Sequence, residues 1–165
     1  MAVENLEQYF LNISDNTEVE LKKLFHESLL NHTNILEFGA GTGKFTKLYS
    51  NEDRYIIALE IDKNLRTEFE KNNDFQSAIF LEADIKEFDI PADIDKFAIV
   101  SAPPYSLLEY INNTFIKAYK LPYILMVGER YLKLFDDYKI IYTLNEEDFE
   151  PISERKHYII TNIKD

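Results

Sequence analysis

Glu37-Phe38-Gly39-Ala40-Gly41-Thr42-Gly43 is the stretch on which the fold is decided. It ends the short apolar run Asn34–Phe38 and leads into residues 44–50, whose pattern predicts a helix. A strand that empties into a glycine turn and then a helix opens a βα unit. Glycines at 39 and 41 let the backbone turn sharply and approach a ligand closely, and a helix N-terminus offers free N–H groups. The spacing is G-x-G-x-G, not the dinucleotide-binding G-x-G-x-x-G. Taken alone, the turn equally describes a plain strand-to-helix connection.

Working outward, apolar periodicity alternates in type. Residues 17–30 carry Val19, Leu21, Leu24, Phe25, Leu29 and Leu30 at mostly helical spacing, with Ser14 or Asp15 as the cap. Beyond the glycines, residues 55–61, 78–82, 96–101 and 123–127 read as strands, and 64–72, 107–119 and 129–135 as helical. Pro103-Pro104 stops the fourth strand, because proline cannot continue a central ladder. Residues 138–144 and 157–163 are two further β-type runs with no helical pattern between them, so they are expected to pair antiparallel at one edge. The expectation is an α/β fold: a mostly parallel seven-stranded sheet, helices on both faces, and an antiparallel C-terminal strand pair. Neither an internal repeat nor a linker divides the chain, so residues 1–165 read as one domain.

Composition narrows the function. The chain has 165 residues, and 45% apolar content suffices for one core. The absence of cysteine excludes disulfides, thiolate metal sites and a cysteine nucleophile. No apolar run reaches the ~18 residues of a membrane span, and residues 1–30 lack a signal-type apolar core, so a cytoplasmic location is expected. His26, His32 and His157 show no metal-ligand spacing, so no metal is expected. Ser101 and Ser106 lack the elbow of a hydrolase nucleophile. The tyrosines at 110, 119, 123 and 131 fit core packing. The formal charge is −12, and 13 acidic against 6 basic side chains lie within residues 51–100. That balance opposes bulk binding of a polyphosphate.

Acids recur at strand ends. Glu60 ends the second strand with Asp62 two residues on, and Asp84 follows the third. A carboxylate after the second strand can take both hydroxyls of a ribose, and one after the third can accept from an adenine amino group. Three such features beyond successive strands describe one crevice.

In this order the chain resembles the class I S-adenosylmethionine (SAM) methyltransferases, with their Rossmann-like fold. More narrowly, it is similar to the rRNA adenine N6-dimethyltransferases of the KsgA and Erm type. Gln8-Tyr9-Phe10-Leu11 resembles the family's Gln-x-Phe-Leu start, and Leu36 through Thr46 its glycine turn. Glu60-Ile61-Asp62 and Ala83-Asp84 follow, and Ala102-Pro103-Pro104-Tyr105 aligns with its Asn-Leu-Pro-Tyr. Residues 124–130 resemble its fifth strand and following helix, and Phe149-Glu150-Pro151 its Phe-x-Pro-x-Pro segment. The resemblance implies SAM as cofactor and S-adenosylhomocysteine as product. It puts Gln8 and Leu11 over the methionine end, and Gly39 and Gly41 along the cofactor's backbone. Glu60 would take the ribose, Ile61 would pack on the adenine and Asp84 would bind its amino group. Tyr105 would stack on the target base, and residues Ala102, Pro103 and Pro104 would line the reacting centre. Ser101 would assist only on a register shifted by one.

Two departures are plain. The family's asparagine, whose side-chain oxygen accepts from the target amine, is Ala102 here; one such bond is worth roughly 3 kcal/mol. The family's helical C-terminal domain has no counterpart in residues 1–165. The resemblance therefore implies methyl transfer to an amino nitrogen, adenine in RNA if the family activity is kept. With −12, an RNA partner requires a second protein to supply basic surface. The alternatives are a small-molecule or protein acceptor, or a non-catalytic SAM-binding or partner subunit.

Overall fold

The computed structural model describes residues 10–151, 153 and 155–164, so Gln8 lies outside the described residues. Strand β1 is Phe10–Leu11 and helix α1 is Asp15–Ser28. The cap is Ser14: its backbone is extended and its hydroxyl oxygen accepts the Thr17 N–H at 3.2 Å. That bond satisfies one of the donors every helix start leaves over. Leu21, Phe25 and Leu29 form the buried stripe of this helix and its end, each contributing about 1.5–3 kcal/mol of burial.

The sheet then builds from β2 (Asn34–Phe38), β3 (Tyr55–Glu60), helix α2 (Arg66–Asn72), β4 (Ala78–Glu82) and β5 (Ala98–Ser101). Helix α3 (Leu108–Ile111) widens into a π turn at Asn112–Lys117, followed by β6 (Tyr123–Gly128), β7 (Lys139–Leu144), β8 (Phe149–Glu150) and β9 (His157–Thr161). Seven strands lie in the order β4-β3-β2-β5-β6-β9-β7. Pairs from β4 to β6 are parallel, and β9 is antiparallel to both β6 and β7. The expected antiparallel pair is therefore present, with β9 inserted between β6 and β7 so that it alone runs against the rest. Strand β1 pairs with β8 in a separate ladder, Leu11 opposite Phe149; two residues are too few to show a period in sequence.

Both faces of the central strands are covered, which is why β2 and β6 read as near-continuous apolar runs. On one face Phe25 meets Phe45 edge-on at 5.5 Å, beneath Ile35, Ala98 and Met126. On the other, Phe38 meets Phe115 at 4.8 Å, with Leu108 and Ile111 packed nearby. No helix among the described residues is long and apolar enough to cross a membrane.

Three helical expectations are corrected. Residues 44–50 form only a 3-10 turn at Thr46–Leu48. Thr46 and Tyr49, one turn apart, both donate hydroxyls to the buried Glu37 carboxyl group and tie this turn to β2. Residues 107–119 are helical but widen from Asn112, whose side chain is tied to the Leu134 carbonyl at 2.8 Å. Residues 129–135 form a 3-10 turn, Glu129–Leu134, where the Asn112 bond lands.

Candidate functional site

The strand order reverses between β2 and β5, and a cleft opens there at the carboxyl ends of the strands, as expected for an open α/β sheet. Its floor is the glycine loop, residues 39–42, with Lys44 and Phe45. Glu60 and Leu65 form one side, and Ala102, Pro103, Pro104 and Tyr105 the other. Leu11, Met126 and Phe149 complete the apolar wall. The short β1–β8 ladder thus exists to bring Leu11 and Phe149 to the same cleft, since the two residues face each other in register.

The loop's shape follows from its glycines. Gly39 has φ +68°, and a Cβ there would lie 2.9 Å from Pro104 Cδ. The glycine turn and the proline segment are therefore in contact, and any side chain at 39 would push them apart. Gly41 has φ +58°, but a Cβ there would meet nothing closer than the Gly39 carbonyl at 4.0 Å. Backbone conformation, not crowding, demands glycine at 41. The expected helix N-terminus is replaced by loop geometry: Ala40 N–H donates to Leu59 O at 3.0 Å and Gly43 N–H to Ala40 O at 3.0 Å.

Glu60 fixes the loop against β3. Its Oε1 accepts the Gly41 N–H at 2.7 Å and its Oε2 the Asp62 N–H at 3.0 Å. The side chain is buried at the cleft wall, and each carboxylate oxygen keeps lone-pair capacity beyond those bonds. Ile61 follows at the strand end and is exposed, while Asp84 accepts the Lys86 N–H at 3.0 Å. Both stand at the carboxyl edge of the sheet, outside the residues that wall the cleft. Ser101 is also outside it. Its hydroxyl donates to Phe38 O at 2.7 Å and accepts the Phe38 N–H at 3.2 Å, stitching β5 to β2.

Sequence reasoning gave no role to Glu37, the first residue of the deciding stretch. Its carboxyl group is 1% exposed and accepts from Thr46 at 2.7 Å and from Tyr49. Burial, opposed by those two bonds and helped by the charge of Glu60, pushes its pKa up to about 8. The folded chain thus holds a proton that the unfolded chain releases near pH 4.5. Stability from this group is fully present below that pH and is lost as pH rises toward 8, at about 1.4 kcal/mol per unit at most. Urea unfolding at pH 5.5 and 8.5 is expected to show Glu37→Gln losing much less stability than the wild type over that interval. Equal losses in both chains would remove the protonated carboxyl from the account.

His157 and Lys44 were missed for a different reason. Lys44 lines the cleft floor, but a lone lysine beside a glycine turn carries no pattern. His157 opens β9 and bonds to Tyr105 and to Ser153, a contact spanning 52 residues of sequence to the former. Tyr131, expected in a packed core, leans on the Tyr105 ring at 5.3 Å. Among the described residues no group of three His, Asp or Glu side chains is placed to hold a metal.

Comparison with known proteins bears on this geometry. The sequence profile described as ribosomal RNA adenine dimethylase matches residues 4–140. No curated protein matches by sequence. Among solved structures, the 23S rRNA methyltransferase ErmE superposes with a TM-score of 0.71 at 18% identity, over 92% of this chain and 68% of that one. A dimethyladenosine transferase from Plasmodium falciparum superposes with a TM-score of 0.69 at 16% identity, over 92% and 62%. An RNA methyltransferase from Salinibacter ruber, in complex with S-adenosyl-L-homocysteine, gives 0.56 at 14% identity over 93% and 94%. The chain thus spans only about two thirds of the first two structures, and at these identities they establish the fold alone. The profile covers most of the sequence, glycine turn and Tyr105 included, and on that match the chain belongs to the ribosomal RNA adenine dimethylase family, with a Rossmann-like methyltransferase fold.

Proposed function

We propose that the chain is a SAM-dependent methyltransferase whose acceptor is an amino nitrogen, adenine in RNA if the family activity is kept. The observation that carries this reading is the cleft itself: the glycine loop, Glu60 and residues 102–105 converge there at the strand-order reversal. The residues fit an adenosyl cofactor. The loop face at Gly41 is open, and the buried Glu60 carboxylate offers acceptor capacity to a pair of hydroxyls. Gln8 and Leu11 are assigned to the methionine end, and Ile61 and Asp84 to the adenine. When bound, SAM supplies a methyl group already activated on a sulfonium.

The chain's own work is then positioning. Pro104 against Gly39 locks the acceptor segment to the cofactor loop, so the two subsites keep a fixed relation. Leu11, Met126 and Phe149 keep water from the wall between them. Tyr105 presents its ring to the acceptor, and close, oriented reactants account for much of the acceleration available to such a transfer. Ala102 and Ser101 offer the acceptor amine no free side-chain oxygen, which favours the second reading, an acceptor other than adenine. With a charge of −12, RNA requires a protein partner supplying basic surface. Residues 1–165 act as one domain in this reading, in the cytoplasm.

Calorimetry with SAM and S-adenosylhomocysteine tests the cofactor, and both are expected to bind. Labelled SAM offered with rRNA, free nucleosides or cell lysate then separates the acceptors. If neither nucleoside binds, both methyltransferase readings fail together.

A further inference from the structure

We propose that His157 is a positioning residue: its imidazole accepts the hydroxyl proton of Tyr105 and thereby holds the Tyr105 ring at the cleft. What the held ring does for methyl transfer rests on the function proposed above; the hydrogen-bond chain does not.

The location comes first. Tyr105 follows Pro103-Pro104 and lines the cleft. His157 opens β9, opposite Gly128 of β6 and Leu144 of β7. Gly128 supplies the space: a Cβ there would lie 2.9 Å from Tyr105 Cε2 and 3.3 Å from Cδ2. The tyrosine ring thus occupies the volume that any other residue at 128 would fill. The His157 ring is 3% exposed, with the Phe149 ring 4.2 Å away and the Tyr105 ring at 5.5 Å.

The proposed direction of each bond follows from where the Ser153 proton sits. A serine hydroxyl has one proton. Ser153 donates it to the Arg155 carbonyl at 3.0 Å and accepts the Arg155 N–H at 3.2 Å. With that proton directed at the Arg155 carbonyl, Ser153 Oγ accepts at 2.6 Å from His157 Nε2, to which the hydrogen is therefore assigned. Burial lowers the pKa of this imidazole, outweighing the opposing charge of Glu146, so the ring is neutral at neutral pH. A neutral imidazole with hydrogen on Nε2 has a bare lone pair on Nδ1. The Tyr105 hydroxyl, bonded to that nitrogen, is consequently the donor.

The chain runs Tyr105 to His157 to Ser153 to the backbone at 155, and each bond orients the next. Gly128 and Tyr131 meet the Tyr105 ring by its flat surfaces, which do not fix its hydroxyl end. The bond to His157 gives that end a direction, and a site ring misplaced by an ångström loses much of its value.

The test uses the full chain. In the free protein, imidazole nitrogen shifts at pH 7 are expected to show His157 as the Nε2–H tautomer, with the signal assigned by its absence in His157→Asn. An Nδ1–H tautomer or an imidazolium overturns the proposal. The Gly128 Hα beneath the Tyr105 ring reports the ring's position through its ring-current shift. That shift is expected to collapse in His157→Leu and to persist in His157→Asn, whose amide oxygen sits where Nδ1 does. An unchanged shift in His157→Leu overturns the positioning role. Methyl transfer from labelled SAM to rRNA within ribosomal particles, whose proteins supply basic surface, is the third readout. His157→Leu and Tyr105→Phe should each lower kcat about tenfold, with the double variant no worse than either, while S-adenosylhomocysteine affinity stays within about twofold. Additive losses, or equal losses in His157→Asn and His157→Leu, also overturn it. If the wild type transfers nothing to RNA, it is the RNA reading that fails, and the tautomer and Gly128 shifts still decide the role of His157.

Discussion

Glu60→Ala is expected to weaken S-adenosylhomocysteine binding by about a hundredfold or more, measured by calorimetry at matched salt. Two losses combine. The carboxylate is the partner of the Gly41 N–H at 2.7 Å and of the Asp62 N–H at 3.0 Å, so its removal frees the loop that forms the cleft floor. It is also the group assigned to the ribose hydroxyls, and hydrogen bonds to a charged partner are worth roughly 1.5–3 kcal/mol each. Glu60→Gln separates the two. The amide keeps one oxygen for Gly41 while losing the charge, so about a tenfold loss is expected from it. Thermal unfolding of each variant checks that the fold is intact. A dissociation constant within threefold of wild type for Glu60→Ala would remove the carboxylate from the cofactor site.

The fold was legible because parallel strands buried on both faces cannot hide. Residues 34–38, buried on both faces, and the edge strand 78–82 carry the same bounds in sequence and in structure, and alternation reveals a mostly parallel sheet, though not the order of its strands. That residues 44–50 make only a 3-10 turn was not legible, because Thr46 and Tyr49 are tied to a buried carboxyl group. Periodicity reports which residues are apolar, not which polar ones are tied together. The same limit explains β1 and β8, which are held by register across some 140 residues of sequence and not by any local pattern. As cleft-lining residues, Gly39, Gly41 and 102–105 were legible because they follow strand ends, and Glu60 because it closes β3. His157 was not, since its meaning comes from a tyrosine 52 residues away and from a glycine facing it across the sheet. Ser101 shows the converse: a serine at a strand end looks available in sequence, yet its hydroxyl is spent on both backbone groups of Phe38.

That last bond sharpens the largest gain expected of any single change. Ala102→Asn is expected to raise methyl transfer to adenine-containing RNA by about a hundredfold, the equivalent of one oriented hydrogen bond to the reacting amine, roughly 3 kcal/mol. Position 102 lines the cleft, next to the buried Pro103 and on the same wall as Tyr105. A side-chain oxygen placed there enters the subsite assigned to the acceptor. No neighbour does this work already: Ser101 is committed to Phe38, and the prolines carry no side-chain acceptor. The gain should appear in kcat, with S-adenosylhomocysteine affinity unchanged, because the bond forms to the acceptor and strengthens only as its nitrogen becomes tetrahedral. Rates with labelled SAM on rRNA and on free adenosine measure it, and Ala102→Leu, which adds bulk without an oxygen, is the control. Parallel gains from both variants would reduce the effect to packing. No gain from asparagine, with cofactor binding intact, would leave adenine the wrong acceptor for this cleft, and the search would move to small molecules and proteins, for which an acidic surface is no obstacle.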